Sequence, residues 1–366
     1  MAEPRISVVF PTRNRLDYLR RAVESLLAEL SGRYEHELVI VDGGSTDGTL
    51  EYLAGFPTVR VVHEDAPRGC CYAFDLGLRA ARGEWVCWLN DDVEVLPGAF
   101  DAMLAFMTAP ENAQVGMGAF PSSRSRQEQD TFVVRGVWDH PVVYADFGFL
   151  RRELLADLGY LDLGFRKFSW DPDLALRVWE RGLRVAPCPG AHVVHFFAED
   201  ALRKEGDANL ALDTERLMRK WEVRRASCRF HSVYQDEAYC RTLLAYLTGW
   251  PRCQLLLHMG QEPGTDGGLA AEAAALFNPC NELSRRAYYA FGLELMRRRR
   301  FADALHAFGA LYRAEAEGWG VDATRPWYAC KAGQALLRAG QPELAMPWFA
   351  LAAQGGVALA LLHLAP

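Results

Sequence analysis

The sequence predicts a doubly wound α/β sheet followed by an all-α domain, and three observations carry that prediction. Short apolar runs alternate with stretches of helical periodicity through the first half of the chain. Polar or acidic turns stand at the carboxyl ends of three of those runs. After residue 225 strand signals vanish, and alanine, leucine and arginine dominate to the end. At 366 residues the chain exceeds one ordinary core, so two domains are expected, 1–226 and 227–366.

The first strand is ISVVF, residues 6–10, an apolar run ended by Pro11. Asn14 stands where an N-cap belongs, and Leu16, Leu19, Val23, Leu26, Leu27 and Leu30 follow at helical spacing. HELVIVDGG (36–44) is a second strand ending in an acidic turn, and VRVVHED (59–65) is a third. A helix from Cys71 to Ala81 leads into EWVCWLNDDVEVLPG (84–98). Trp85, Val86, Trp88 and Leu89 suit a strand covered on both faces, and Asn90, Asp91 and Asp92 follow at once. Alternation at this pitch means a parallel sheet with helices on both faces, which binds ligands outside the carboxyl ends of its strands. Pro11 to Arg13, Asp42 to Ser45 and Asn90 to Asp92 all fall at that edge, so three loops should converge on one crevice. The adjacent carboxylates there repel unless a cation sits between them.

Composition narrows the function. Half the residues are hydrophobic and 24% are charged, which is globular. A net charge of −7 argues against a broad nucleic-acid-binding surface. The dense basic run RRRR (297–300) reads as the last turn of a helix, where cations suit the dipole. Nine cysteines without a CxxC pair, and no signal peptide, lead us to expect reduced thiols in a cytoplasmic protein. Cys228, His231, Cys240 and Cys253 match no familiar zinc spacing. No apolar stretch approaches the ~20 residues of a membrane span, and the terminal VALALLHLAP reads as a packed helix.

ISVVFPTRNRLDYLRRAVESLL, ELVIVDGGSTDGT and GEWVCWLNDDVEVLPGAF resemble, in order and spacing, the family 2 glycosyltransferases of the GT-A fold. The likeness continues through GFLRRELLADLGYLD, DPDLALRVWERGLRV and PGAHVVH, and ends at residue 196. It implies a GT-A mixed sheet and metal-dependent, inverting transfer of a sugar from a UDP-, dTDP- or GDP-linked donor to an acceptor nucleophile. The implied cofactor is Mg2+ or Mn2+, which would stabilise the charge on the departing diphosphate.

By that resemblance, Asn90-Asp91-Asp92 stands at the family's Asp-x-Asp motif. Asp92 would be the metal ligand and Asp91 would face the nucleotide. Asn90 replaces the first carboxylate and suits a ribose hydrogen bond. Pro11, Thr12, Arg13 and Asp42 would line the nucleoside pocket. Ser45 and Asp47 are read as ordinary turn residues and Arg68 as an exposed loop arginine. His195, the final histidine of PGAHVVH, would be a further metal or phosphate contact. Asp146, Gly148 and Trp170 would form the acceptor side. In SWDPDLALRVWERG, Asp171 is a good N-cap and Pro172 suits the first helical position. The resemblance makes Asp171 the general base that deprotonates the acceptor, with Asp173 as the second candidate.

In the second half, YYAFGLELMRRRRFADALHAF and YACKAGQALLRAGQPELAMPWFALA align with each other. Gly292 to Ala304 and Gly333 to Ala345 are both 12 apart, with Phe308 and Phe349 four residues on. Small residues let two helices pack closely while the aromatic fills the space between hairpins. The pattern resembles tetratricopeptide repeats, although the glycines are 41 apart, so EAEGWGVDATR should lengthen the connecting loop. A generic helical bundle is the alternative. Such a domain would bind a peptide or protein acceptor or join a homo-oligomer. In a different functional class, the chain would be a catalytically weak nucleotide-binding scaffold whose repeats hold a protein partner. A nucleotidyltransferase would favour a glycine-rich, lysine-containing loop after the first strand, and FPTRNR has neither.

Overall fold

β1 (Ile6–Thr12) runs parallel to β2 (His36–Asp42) on one side and to β4 (Trp85–Trp88) on the other, and β3 (Val59–His63) extends the sheet beyond β2. The far side is not parallel throughout. β10 (Gly148–Arg151) is antiparallel to both β4 and β6 (Val115–Ala119), and β11 (Arg184–Pro187) closes that edge parallel to β6. The order is β11-β6-β10-β4-β1-β2-β3. This corrects the purely parallel sheet that alternation predicts and agrees with the mixed GT-A sheet. GFLR is buried over its first three residues, and an apolar run of that length carries no mark of strand direction.

These elements come from a computed structural model that describes residues 5–64, 66, 68–125, 132–137, 142–198, 200, 209–222, 236–259, 282–316 and 325–364. The described residues through Glu222 fall in one unit and those from Asp236 on in a second. The expected boundary at 226/227, with Cys228 and His231, lies outside the described residues. No disulfide joins the described cysteines, and no described helix is long and apolar enough to cross a membrane.

Helices α1 (Leu16–Leu30) and α4 (Ala99–Thr108) pack Leu19, Val23, Phe100 and Met103 into one core with Val8, Phe10 and Ile40 of the sheet. On the other face α3 (Cys70–Ala80) comes so close that a Cβ on Gly77 would lie 2.5 Å from Val9 Cγ1. A small second sheet sets β12 (Val193–His195) antiparallel to β5 (Val93–Val95) and parallel to β7 (Ser122–Ser123). That pairing puts His195 opposite Val93, beside the Asp91-Asp92 pair.

Two helix starts differ from expectation. Asn14 does not cap α1, which begins at Leu16. Asn14 takes a left-handed conformation (φ 52°), and its side-chain oxygen accepts the Thr46 N–H at 2.7 Å. Asp47 instead accepts the Leu16 N–H at 2.9 Å, so the second loop caps the first helix. Likewise α6 (Trp170–Glu180) starts at Trp170, and Asp171 lies in its first turn and not at the cap. Ser169, just before it, is left-handed at φ 66°.

In the second unit α8 (Glu237–Tyr246), α9 (Gly249–Met259), α10 (Glu282–Arg297), α11 (Phe301–Ala316), α12 (Arg325–Arg338), α13 (Pro342–Gln354) and α14 (Ala358–Leu364) follow in order. The two aligned segments form α10–α11 and α12–α13. A Cβ on Gly292 would lie 2.7 Å from the Phe308 ring, and one on Gly333 2.8 Å from Phe349. Both hairpins therefore use the same close glycine–aromatic contact. Of the arginine run, Arg297 and Arg298 pair with Glu294, and Arg300 pairs with Asp303. Residues 317–324 of the expected long loop lie outside the described residues.

Candidate active site

The carboxyl ends of β1 to β4 open onto a cleft of about 840 Å3, a size typical of small-molecule sites. Pro11, Thr12 and Arg13 line it from β1, Gly43 from β2, Glu64 from β3, and Asn90, Asp91 and Asp92 from β4. His195 joins them from β12, and the loop after α5 (Arg152–Asp157) adds Gly164, Arg166 and Lys167. The three predicted loops do meet in one place.

The two adjacent carboxylates have different surroundings. Asp91 is buried, and accepts hydrogen bonds from Thr12 Oγ1 at 2.9 Å and Arg15 Nη1 at 3.0 Å. Arg15 also grips Asp200 with two bonds, at 2.6 and 2.9 Å. Burial pushes Asp91 up to about 6 against the pull of Arg15, and Asp92 adds to the rise. Both its oxygens are thus engaged by the protein, and Arg15 is one cation that lets the acidic pair exist.

Asp92 keeps an oxygen in reserve. Its Oδ2 accepts the Ala198 N–H at 2.8 Å. Its Oδ1 is buried without a hydrogen bond, yet lies 3.1 Å from His195 Nε2. Asn90 Nδ2 is 3.3 Å from the same nitrogen. Burial works to raise the Asp92 carboxyl, but His195, Ala198 and Arg15 together hold it below the ordinary carboxylate value. When Nε2 carries no proton, a carboxylate lone pair and an imidazole lone pair face the same point. A separation of 3.1 Å suits two neighbouring ligands of one octahedral ion at ~2.1 Å each. An oxygen–imidazole donor set fits Mn2+ and accepts Mg2+. Among the described residues no group of three His, Cys, Asp or Glu side chains could hold an ion, so most of the shell of an ion on this pair would come from outside these side chains.

Asp42 is not on the cleft wall. Its buried carboxylate accepts the Gly44 and Ser45 N–H groups at 3.1 Å each and shapes the turn. Glu64, which sequence reasoning missed, is half-buried and lines the cleft beside Gly43, where a Cβ would lie 3.5 Å from Arg13 and 3.6 Å from Glu64 Oε2. Arg68, read as a loop arginine, is exposed and also lines the cleft. Arg15 had one unread signal: an arginine at a helix start is unfavourable against the dipole unless carboxylates hold it.

Asp171 does not line the cleft but stands behind it. Its charge acts on the Cys70 thiol, which does line the cleft and which burial above all pushes up to about 12. Burial raises the Asp171 carboxyl well above its ordinary value, the neighbouring Asp146 raises it further, and Arg135 opposes both. Arg135, on β8 (Arg135–Gly136), pairs with Asp146 Oδ2 at 3.1 Å. Arg135 thus acts electrostatically on both Asp146 and Asp171. Gly148 and Trp170 are packing residues. A Cβ on Gly148 would lie 2.1 Å from the Trp88 ring, and Trp170 packs edge-on to Trp88 at 5.9 Å and tilted against Phe74 at 4.8 Å. Asp173 is 0% exposed, with its oxygens taken by Arg177, Lys220 and Trp221, which removes it as a base.

Residues 7–158 match the family described as Glycosyl transferase family 2. The O-antigen biosynthesis protein RfbC of Myxococcus xanthus is 28% identical over 221 residues, 52% of this chain and 17% of that protein. The uncharacterized glycosyltransferase YibD of Escherichia coli is 31% identical over 104 residues, 27% of this chain and 29% of that protein. The solved mannosyltransferase PcManGT from Pyrobaculum calidifontis, in complex with GDP-Man and Mn2+, overlays with a TM-score of 0.45 at 18% identity, over 98% of this chain and 86% of that one. The chain spans between 17% and 29% of the length of the first curated relatives it matches. Over residues 7–158, less than half of its length, this chain is similar to the family 2 glycosyltransferases.

Proposed function

We propose that this chain is a metal-dependent, inverting glycosyltransferase that moves a sugar from a nucleoside diphosphate donor to an acceptor nucleophile. The observation that carries the reading is the facing pair of Asp92 Oδ1 and His195 Nε2, buried at the edge of a cleft lined by Arg13, Arg68, Arg166 and Lys167. Asp92 and His195 would hold Mg2+ or Mn2+, which when bound would stabilise charge on the leaving diphosphate. Pro11, Thr12, Arg13 and Glu64 would hold the nucleoside, with Asp42 shaping their loop. Asn90 would contact the ribose, and Asp91 would brace the motif through Arg15. Lys167 and Arg68 bring positive charge to the phosphate end.

Asp171 would take the proton from the acceptor as the sugar is attacked from the face opposite the leaving group. Its raised carboxyl makes Asp171, once ionised, a stronger base than an ordinary carboxylate. The helical unit would choose the acceptor or a partner. Tetratricopeptide-like hairpins offer a concave groove for an extended peptide or a second subunit. A panel of UDP-, dTDP- and GDP-sugars, read by nucleoside diphosphate release with and without metal, tests the reading. Release from at least one donor, dependent on metal, is expected; no release from any of them supports the scaffold instead.

A further inference from the structure

The residues that flank Asp171 are held by one helix outside the region of family similarity, α7 (Leu210–Glu222). Three consecutive backbone N–H groups, those of Arg166, Lys167 and Phe168, converge on one carboxylate. Asp213 of α7 accepts them at 3.0, 2.9 and 2.8 Å and is itself 3% exposed. Successive N–H groups of this kind form a concave anion nest, and bonds to a charged acceptor are the strong kind. On its other side the loop docks on α3. Cys71 N donates to Arg166 O at 2.9 Å, and a Cβ on Gly69 would lie 2.6 Å from that oxygen.

The same helix makes a second anchor just beyond Asp171. Lys220 Nζ reaches Asp173 Oδ1 and Asp162 Oδ2 at 2.7 Å each, and Trp221 Nε1 donates to Asp173 Oδ1 at 2.8 Å. Asp171 therefore lies between two points, 166–168 and 173, that α7 fixes. Between them the backbone turns through the left-handed Ser169. A reversal at a non-glycine residue persists only where its surroundings hold it.

We propose that Asp213 is a positioning residue of the transfer reaction: its grip on the 166–168 backbone sets the Lys167 wall of the cleft and, with the Lys220–Trp221 anchor on Asp173, aims Asp171. The proposal rests on the transferase reading above. An asparagine at 213 keeps the shape but presents one oxygen and an opposing NH2 to three donors. A glutamate keeps the charge but not the reach.

The test uses the full chain, with Asp213→Asn, Asp213→Glu and the parent compared at a temperature well below melting. Turnover of the sugar nucleotide that the parent uses is measured, together with calorimetric binding of the matching nucleoside diphosphate in Mn2+. Asp213→Asn should lose turnover by about 10- to 100-fold, as small misplacements of a reacting group do. Its nucleoside diphosphate affinity should fall by about threefold at most, a smaller loss than that of turnover, because Lys167 rides on this loop while Arg68, Asp92 and His195 do not. Asp213→Glu should recover more turnover than asparagine, since acceptor charge and not shape is what the nest needs. Should Asp213→Asn fail to fold, Lys220→Met loosens the second anchor and must show the same split between turnover and affinity. Parental turnover in Asp213→Asn, or an equal fall in turnover and affinity, overturns the proposal alone. A parent that binds nucleoside diphosphate yet turns over no sugar nucleotide sinks the transferase reading, and this proposal with it.

Discussion

Asp91 and Asp92 are neighbours in the chain with opposite assignments in space, one closed by Thr12 and Arg15 and the other facing His195. Asp92→Ala should therefore abolish the metal-dependent tightening of nucleoside diphosphate binding; calorimetry that finds equal affinity with and without metal in the parent removes the assignment. If Asp171 is the base proposed above, Asp171→Asn should lower transfer by about 10²–10⁴ with donor affinity nearly unchanged. The pH profile follows from the raised Asp171 carboxyl. A base must be ionised, so transfer should climb with pH through a midpoint above the ordinary carboxylate range. Asp146→Asn removes the repelling charge and should move that climb to lower pH; an unmoved midpoint would separate Asp146 from the base. Stability runs the other way. The native state binds this proton more tightly than the unfolded chain, so its stabilising share is present at acid pH and is lost as pH rises. Asp171→Asn should accordingly gain melting temperature on the parent at pH 8.5 and little at pH 5. NDD was readable because strands of a doubly wound sheet deliver their carboxyl ends to one edge, whereas WDPD was singled out only by the family resemblance. The partners Arg15 and Glu64 were not readable, since the local pattern does not encode which distant groups they meet.

At the scale of elements, close contacts decide what the periodicity left open. Gly148 lies where β10 crosses Trp88, and its missing side chain is what admits the indole. Gly148→Ala should destabilise the first unit by about 1–3 kcal/mol, the usual range for overpacking, seen as an earlier unfolding transition in urea. A parental midpoint would mean that Trp88 has somewhere else to go. The strand content and the amphipathic helices were legible because apolar period and length carry them. The antiparallel direction of β10 was not legible, and neither was the cap that Asp47 supplies to α1. Both depend on residues far apart in the chain, and a cap from another loop leaves no trace at the helix it serves.

Each unit of the whole molecule has its own core, one built on the α1–α4 face of the sheet and the other on α9 to α12. A chain ended near residue 226, once shown to be folded, should still bind nucleoside diphosphate and metal but lose transfer to its native acceptor or the parental mass in solution. Full transfer at unchanged mass would leave the helical unit without the role proposed for it. Composition and periodicity alone determined two regions of different class, a crevice at the strand ends, and the paired glycine–aromatic hairpins of the second half. These are properties of local spacing, and local spacing is written in the chain. Only the tertiary structure decided which of two adjacent carboxylates faces His195, that Asp173 is spent on Lys220 and Trp221, and that Asp213 reaches back to hold the loop before Asp171. Those outcomes depend on which donors arrive from elsewhere to satisfy each buried oxygen, and that is settled by packing at long range.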